Sequence, residues 1–328
     1  MERHQPPATS CQPYEGAHDR GEETSDKRLE TILCGIKMNS PLLSASGTYG
    51  YGKEFSRFYD LHLLGAVVVK GITLNPRAGN PGRRLIETPA GLINSIGLEN
   101  PGVEGFTRHE MPFLRQQGVP VIVNISGNTP EEYAALAERL DTEPDISALE
   151  VNISCPNVKE GGMAFGATCS MAAQVTQVVR ARTRLPLIVK LSPNVTDIAG
   201  IAQAVEAEGA DCISLINTLL AMAIDIRTMK PLLSNTFGGL SGPAVKPVAL
   251  RMVWQVASAI KIPVVGMGGI SCWQDAVEFI LAGASAVAIG TANFVNPLVI
   301  PEIHAGLTQY MMDQGVKTVG ELVGAARK

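Results

Sequence analysis

The chain has 328 residues, 45% of them hydrophobic and only 5% aromatic, with a formal net charge of −4. That length suits two average domains or one large α/β barrel, and a small-aliphatic core suits a parallel sheet buried under helices. The charge balance and the absence of Lys/Arg clusters argue against nucleic acid as a partner. No apolar run approaches the ~18 residues of a membrane span, and no signal-like segment opens the chain, so it reads as soluble and cytoplasmic.

Residues 1–30 stand apart, with four basic and seven acidic side chains and few apolar ones. Too little apolar surface is available there to offset ordering entropy, which predicts a disordered polar tail ahead of one folded body over 31–328. Within that body short apolar runs recur at 41–46, 66–70, 121–125, 149–153, 187–191, 212–216, 264–268 and 286–290. Helix-length stretches lie between them at 130–140, 171–184, 197–208, 245–260 and 273–282. Thr129-Pro130-Glu131-Glu132 is a strong helix start, with proline at the first position and early acids. Eight strands alternating with helices predict a closed (β/α)8 TIM barrel, with an open doubly wound sheet as the competitor.

In a barrel the C-terminal strand ends carry function. Here those ends read Ser46-Gly47, Lys70-Gly71, Asn124, Asn152 with Cys155, Lys190, Asn217-Thr218, Gly268-Gly269 and Gly290-Thr291. Polar groups are costly to bury without partners, so this ring is hard to attribute to packing. A single lysine there reads most simply as a stem along the rim, yet two, Lys70 and Lys190, suit an anionic ligand or a cofactor that becomes anionic. Glycine-bearing loops after the seventh and eighth strands suit a phosphate bound by backbone N–H groups. Cys155, followed by Pro156, falls at a strand tip and reads as a candidate catalytic base. The other cysteines read as inert thiols. Six scattered cysteines without a C-x-x-C pair, and five isolated histidines, give no metal or iron–sulfur ligand set. The segments 92–100 and 219–239 stay open between ordinary loops and functional ones.

NISCPN at 152–157, Lys70-Gly71, NSIGL at 94–98, Asn217-Thr218, LSGP at 240–243 and GMGGI at 266–270 together resemble the dihydroorotate dehydrogenase family over about residues 31–310. SASGTYG and the IDI…GGLSGPAVKP stretch look most like its NAD-linked class 1B catalytic subunit. The resemblance implies an FMN flavoprotein that oxidises dihydroorotate to orotate in pyrimidine biosynthesis. Cys155 would take the C5 proton as hydride leaves C6 for FMN. Lys70, Asn94, Ser95, Ile96, Gly97, Leu98, Asn152, Asn157, Asn217 and Thr218 would bind substrate. Ser46, Lys70, Gly71, Asn124, Asn152, Lys190, Ile216, Gly242, Gly268, Gly269, Gly290 and Thr291 would bind FMN. The class further implies a homodimer of this chain within a heterotetramer, the partner subunit carrying FAD and a [2Fe–2S] cluster. No G-x-G-x-x-G fingerprint follows a strand, so NAD use would run through that partner. The competing readings are a fumarate-linked homodimeric dihydroorotate dehydrogenase, a dihydropyrimidine dehydrogenase barrel and a Schiff-base barrel lyase using Lys190.

Overall fold

A computed structural model describes residues 26–154 and 165–328. Eight parallel strands form one sheet: β1 (Leu42–Ser44), β2 (Val67–Ile72), β3 (Val121–Ile125), β4 (Ala148–Asn152), β5 (Leu187–Lys190), β6 (Cys212–Leu215), β7 (Val264–Met267) and β8 (Ala286–Ile289). Each pairs with its chain neighbours, β8 pairs with β1, and a Leu43–Ala66 bridge joins β1 to β2. The barrel is therefore closed, which excludes the open doubly wound sheet. The β1–β2 seam has that single bridge, and Ser44 reinforces it. Its hydroxyl donates to Val68 O at 3.1 Å and accepts from Val68 N at 2.9 Å.

The helices are α1 (Gly102–His109), α2 (Met111–Gln117), α3 (Pro130–Asp141), α4 (Cys169–Arg180), α5 (Ile198–Ala207), α6 (Lys246–Ala259), α7 (Trp273–Leu281), α8 (Ala292–Val295), α9 (Val299–Asp313) and α10 (Val319–Leu322). Helix α3 follows its sequence signals: the Thr129 side chain accepts from Glu132 N, and Pro130 occupies the first turn. Its buried residues Tyr133, Leu136, Ala137 and Leu140 fall on one stripe at helical spacing and pack on the barrel. Burying each leucine fully contributes about 1.5–3 kcal/mol. Helix α4 starts two residues before the sequence expectation, capped by Thr168, and stops at Arg180 rather than 184. There the chain turns so that Thr183 and Arg184 N can donate to Asp141.

Strand side chains alternate between two environments. Val123, Leu149, Val151, Val189 and Ile213 face the helices, whereas Ile122, Ala148, Ile188, Cys212 and Val265 fill the lower barrel interior. A hairpin of Thr31–Leu33 and Ile36–Met38 adds Leu33, Ile36 and Met38 to that interior cluster and closes the floor. Cys34 and Gly35 turn it with φ of 41° and 86°. The folded body reaches back past residue 31: Leu29 is 0% exposed, and Arg28 O accepts from Val319 N at 2.9 Å. The polar tail expected before it lies, up to residue 25, outside the described residues.

Over the mouth sits a four-stranded antiparallel sheet of Leu85–Thr88, Gly91–Asn94, Gly238–Ser241 and Leu219–Ala221. It resolves both open segments. The long connection after β6 carries its own strands, and the 92–100 stretch begins as a strand before it becomes a loop.

Candidate functional site

Between the strand ends and this roof lies a cavity of about 870 Å³, within the ~300–1,000 Å³ typical of small-molecule sites. Ser46, Lys70, Gly71, Asn124, Asn152, Lys190, Ile216, Asn217, Thr218, Gly268, Gly269, Gly290 and Thr291 line it from the strand ends. Asn94, Ile96, Gly97, Leu98 and Gly242 line it from the roof and its flanking loops. Ser95 is the exception among the described residues singled out from sequence. It is buried, and its hydroxyl and carbonyl accept from Asn80 Nδ2 instead. Cys155 and Asn157 lie outside the described residues, as does most of the loop 156–168.

Lys190 ends β5 inside the barrel and is 5% exposed. Its ammonium contacts Ser46 Oγ at 3.4 Å and Glu150 Oε2 at 3.9 Å. Glu150, 2% exposed in the middle of β4, accepts from Asn124 Nδ2 at 2.5 Å and from Ser214 Oγ at 2.7 Å. Sequence reasoning missed this carboxylate, because one acid inside an apolar run resembles a solvent-facing strand position. The available signal was the alternation itself, which assigns Glu150 to the same barrel face as Asn152.

A second polar chain joins β4 to β6. Asn152 Oδ1 accepts from Ser154 Oγ at 2.9 Å and Asn217 Nδ2 at 3.3 Å, and Asn217 Nδ2 also reaches Ser154 Oγ at 2.7 Å. The phenol of Tyr133, from α3, donates to Asn152 O at 2.7 Å and fixes the strand tip. Asn94 is held from the roof by donation to Gly239 O at 3.1 Å. Lys70 lies near the opposite edge, close to Glu99. The hydrogen bond from Arg84 and then the charges of Arg84 and Lys70 hold the Glu99 carboxyl below its ordinary range.

At the far end the backbone comes unusually close. Gly242 has φ of 99°, and a Cβ there would sit 2.7 Å from Gly91 Cα. Gly269, at φ 81°, would drive a Cβ to 2.8 Å from Lys246 N. Both positions accept only glycine without rearrangement, and both present bare backbone to the cavity. Thr291 Oγ1 donates to Ser241 Oγ at 2.8 Å, tying the loop after β8 to the roof. Behind Gly269, Lys246 pairs with Asp275 at 2.6 Å and Glu278 at 3.0 Å. Burial pushes Lys246 down, but the hydrogen bonds it donates to the two carboxylates outweigh it and hold the ammonium above the usual lysine range.

Cys34, Cys169 and Cys212 are free thiols, and burial pushes the Cys212 thiol well up, as expected of an inert core cysteine. Cys272 departs from the expectation of a free thiol, being disulfide-bonded. Among the described residues no cluster of His, Cys, Asp and Glu could hold a metal ion, and no helix is long and apolar enough to cross a membrane.

Comparison with known proteins gives this cavity a context. The chain is 62% identical over 291 residues to the "Dihydroorotate dehydrogenase B (NAD(+)), catalytic subunit" of Desulforamulus reducens, covering 89% of this chain and 96% of that one. The subunit of the same name from Trichlorobacter lovleyi is 56% identical over 297 residues, 90% of this chain and 98% of that one. A crystal structure of DHODH from Eimeria tenella in complex with ferulenol shares the fold with a TM-score of 0.79 at 21% identity, over 94% of this chain and 91% of that chain. The family profile described as dihydroorotate dehydrogenase matches residues 28–311. The chain belongs to the dihydroorotate dehydrogenase family, and its similar relatives are catalytic subunits of the NAD-linked B form.

Proposed function

We propose that this chain oxidises dihydroorotate to orotate in pyrimidine biosynthesis, with FMN in the cavity and NAD as final acceptor through a separate subunit. The observation that carries the reading is the convergence of two lysines and three asparagines, Lys70, Lys190, Asn94, Asn152 and Asn217, on one cavity. The ammonium groups suit a carboxylate and a flavin that gains negative charge, and each asparagine offers a donor and an acceptor to a pyrimidine amide.

The residues present fit FMN. The cavity has the volume, the glycine cradle at Gly242 and Gly269 leaves room for backbone to meet a phosphate, and the loop after β8 with Gly290 and Thr291 stands beside it. When bound, FMN supplies the hydride acceptor, chemistry that no side chain can perform. Lys190, with Ser46 beside it and Asn124 and Gly71 also lining the cavity, would hold the flavin ring. Lys70 would pair with the substrate carboxylate, while Asn94, Asn152, Asn217 and Thr218 orient the ring of dihydroorotate. Asn157 would join that set. Cys155 would take the C5 proton. A thiol with a reference pKa of about 8.5 is mostly protonated at neutral pH, so turnover should rise with pH as the thiolate fraction grows.

The test is direct. Purified chain should be yellow or take up FMN, and dihydroorotate should bleach the flavin under anaerobic conditions. Cys155→Ser should keep the flavin and slow that bleaching at neutral pH. A protein unable to take up FMN would overturn the reading, and unchanged reduction in Cys155→Ser would remove Cys155 from its role. For the partner, the supporting argument is the "NAD(+)" catalytic-subunit name of the relatives. We expect a homodimer of this chain to co-purify, as a heterotetramer in the cytoplasm, with an FAD/[2Fe–2S] subunit. A chain fully active alone with fumarate would refute that assignment.

A further inference from the structure

We infer that Glu150 is a positioning residue that holds the Lys190 ammonium at the cavity wall and tempers the positive charge Lys190 presents to a bound flavin. The inference rests on the reading that FMN occupies the cavity. Glu150 does not itself line the cavity; it lies behind Asn124, Asn152 and Lys190, which do. Four adjacent strands build the cluster: Asn124 on β3, Glu150 on β4, Lys190 on β5 and Ser214 on β6.

Both carboxylate oxygens are committed. Oε1 accepts from Ser214 Oγ at 2.7 Å, while Oε2 accepts from Asn124 Nδ2 at 2.5 Å and faces Lys190 Nζ at 3.9 Å. The carboxylate cannot swing without losing a buried hydrogen bond. Lys190 is less tightly held, with contacts of 3.4 Å and 3.9 Å to Ser46 and Glu150, so its ammonium keeps donor capacity for an occupant of the cavity. Stability alone does not require such a cluster, since buried ion pairs are often replaceable by apolar residues at no cost. A fixed anion behind a cation does have an electrostatic consequence. Lys190 favours the anionic reduced flavin, and Glu150 subtracts from that bias, so the pair sets the reduction potential in a low-dielectric interior.

Glu150→Gln isolates the charge. Its amide oxygen can take the place facing Asn124, and its NH2 group can donate to Ser214, whose hydroxyl reverses to accept. The readouts are the midpoint potential of bound FMN and the dissociation constant of sulfite, which adds to the flavin and leaves negative charge on it. We expect Glu150→Gln to retain FMN, to raise the potential and to bind sulfite about tenfold more tightly, a ratio equivalent to about 30 mV for a two-electron couple. In a Lys190→Met background the same change should alter sulfite binding by less, because the carboxylate no longer places the ammonium and only its own charge acts.

Glu150→Asp, which keeps the charge but withdraws it from Lys190, should shift both readouts the same way by less. It serves as the test should Glu150→Gln fail to fold. Unchanged potential and sulfite affinity in a flavin-loaded Glu150 variant would overturn the inference and leave Glu150 a structural residue. Wild-type protein that binds no FMN would instead sink the functional reading beneath it.

Discussion

At the floor of the barrel, Leu33, Ile36 and Met38 of the hairpin meet Ile122, Ala148, Ile188 and Cys212. One layer higher, the same strands present Asn124, Glu150, Lys190 and Ser214, all buried. The two layers lie two residues apart along each strand and face the same interior. The lower layer gains from removing apolar surface from water, whereas the upper one holds desolvated polar groups whose partners must all be present. Stability and ligand binding are thus stacked along one axis rather than divided between domains.

That separation can be broken by substitution at either level. The largest effect should come from Lys190→Met, which leaves Glu150 buried without its cation. Loss of about 3–5 kcal/mol in urea unfolding, together with weakened flavin uptake, is expected. A stable variant with normal flavin binding would contradict the upper layer's role. Next, Leu33→Ala at the floor should cost about 2–4 kcal/mol by cavity formation while leaving FMN affinity in titration within about twofold. A large loss of FMN affinity in that variant would show that the layers are not separable.

Gly242→Ala should invert that pattern. It should lose about 1–2 kcal/mol from a strained positive φ and crowding against Gly91, but at least tenfold in FMN affinity by fluorescence quenching. The smallest effect belongs to Lys246→Met, about 1 kcal/mol or less because Lys246 and Glu278 are partly exposed and buried Asp275 keeps its hydrogen bonds from Ser271. Its folded-state pKa is raised, so the stability it contributes is complete below the ordinary lysine value of ~10.4 and is lost as pH rises through the folded value. The melting difference between wild type and Lys246→Met should therefore shrink only at strongly alkaline pH.

The barrel was legible because its strands are buried on both faces and read as apolar runs. All eight fell where those runs predicted, and the competing open sheet fell to the β8–β1 pairing and the Leu43–Ala66 bridge, which no local pattern encodes. The polar strand ends were legible for the opposite reason, since Lys190 or Asn124 beside an aliphatic run has no packing explanation. Besides Glu150, three features escaped. The roof strand Gly91–Asn94 is short and rich in turn formers, and its partner Gly238–Ser241 is far away in sequence. Ser95 sits among cavity residues in the chain yet points to Asn80, because a strand end turns alternate side chains away. The floor hairpin was not expected, although Cys34-Gly35 between two three-residue strands is a two-residue turn signal.

The Ser44 hydroxyl at the β1–β2 seam has a consequence for hydrogen exchange. Val67 N donates to Pro120 O at 2.9 Å, on the β3 side, whereas Val68 N donates to Ser44 Oγ at 2.9 Å. Two consecutive amides therefore report on different openings, one of the β2–β3 ladder and one of the seam. If the barrel breathes as a slit at its least-bonded edge, the Val68 amide should exchange ahead of Val67. Ser44→Ala should widen that gap, leaving the closure of the ring to one backbone bridge.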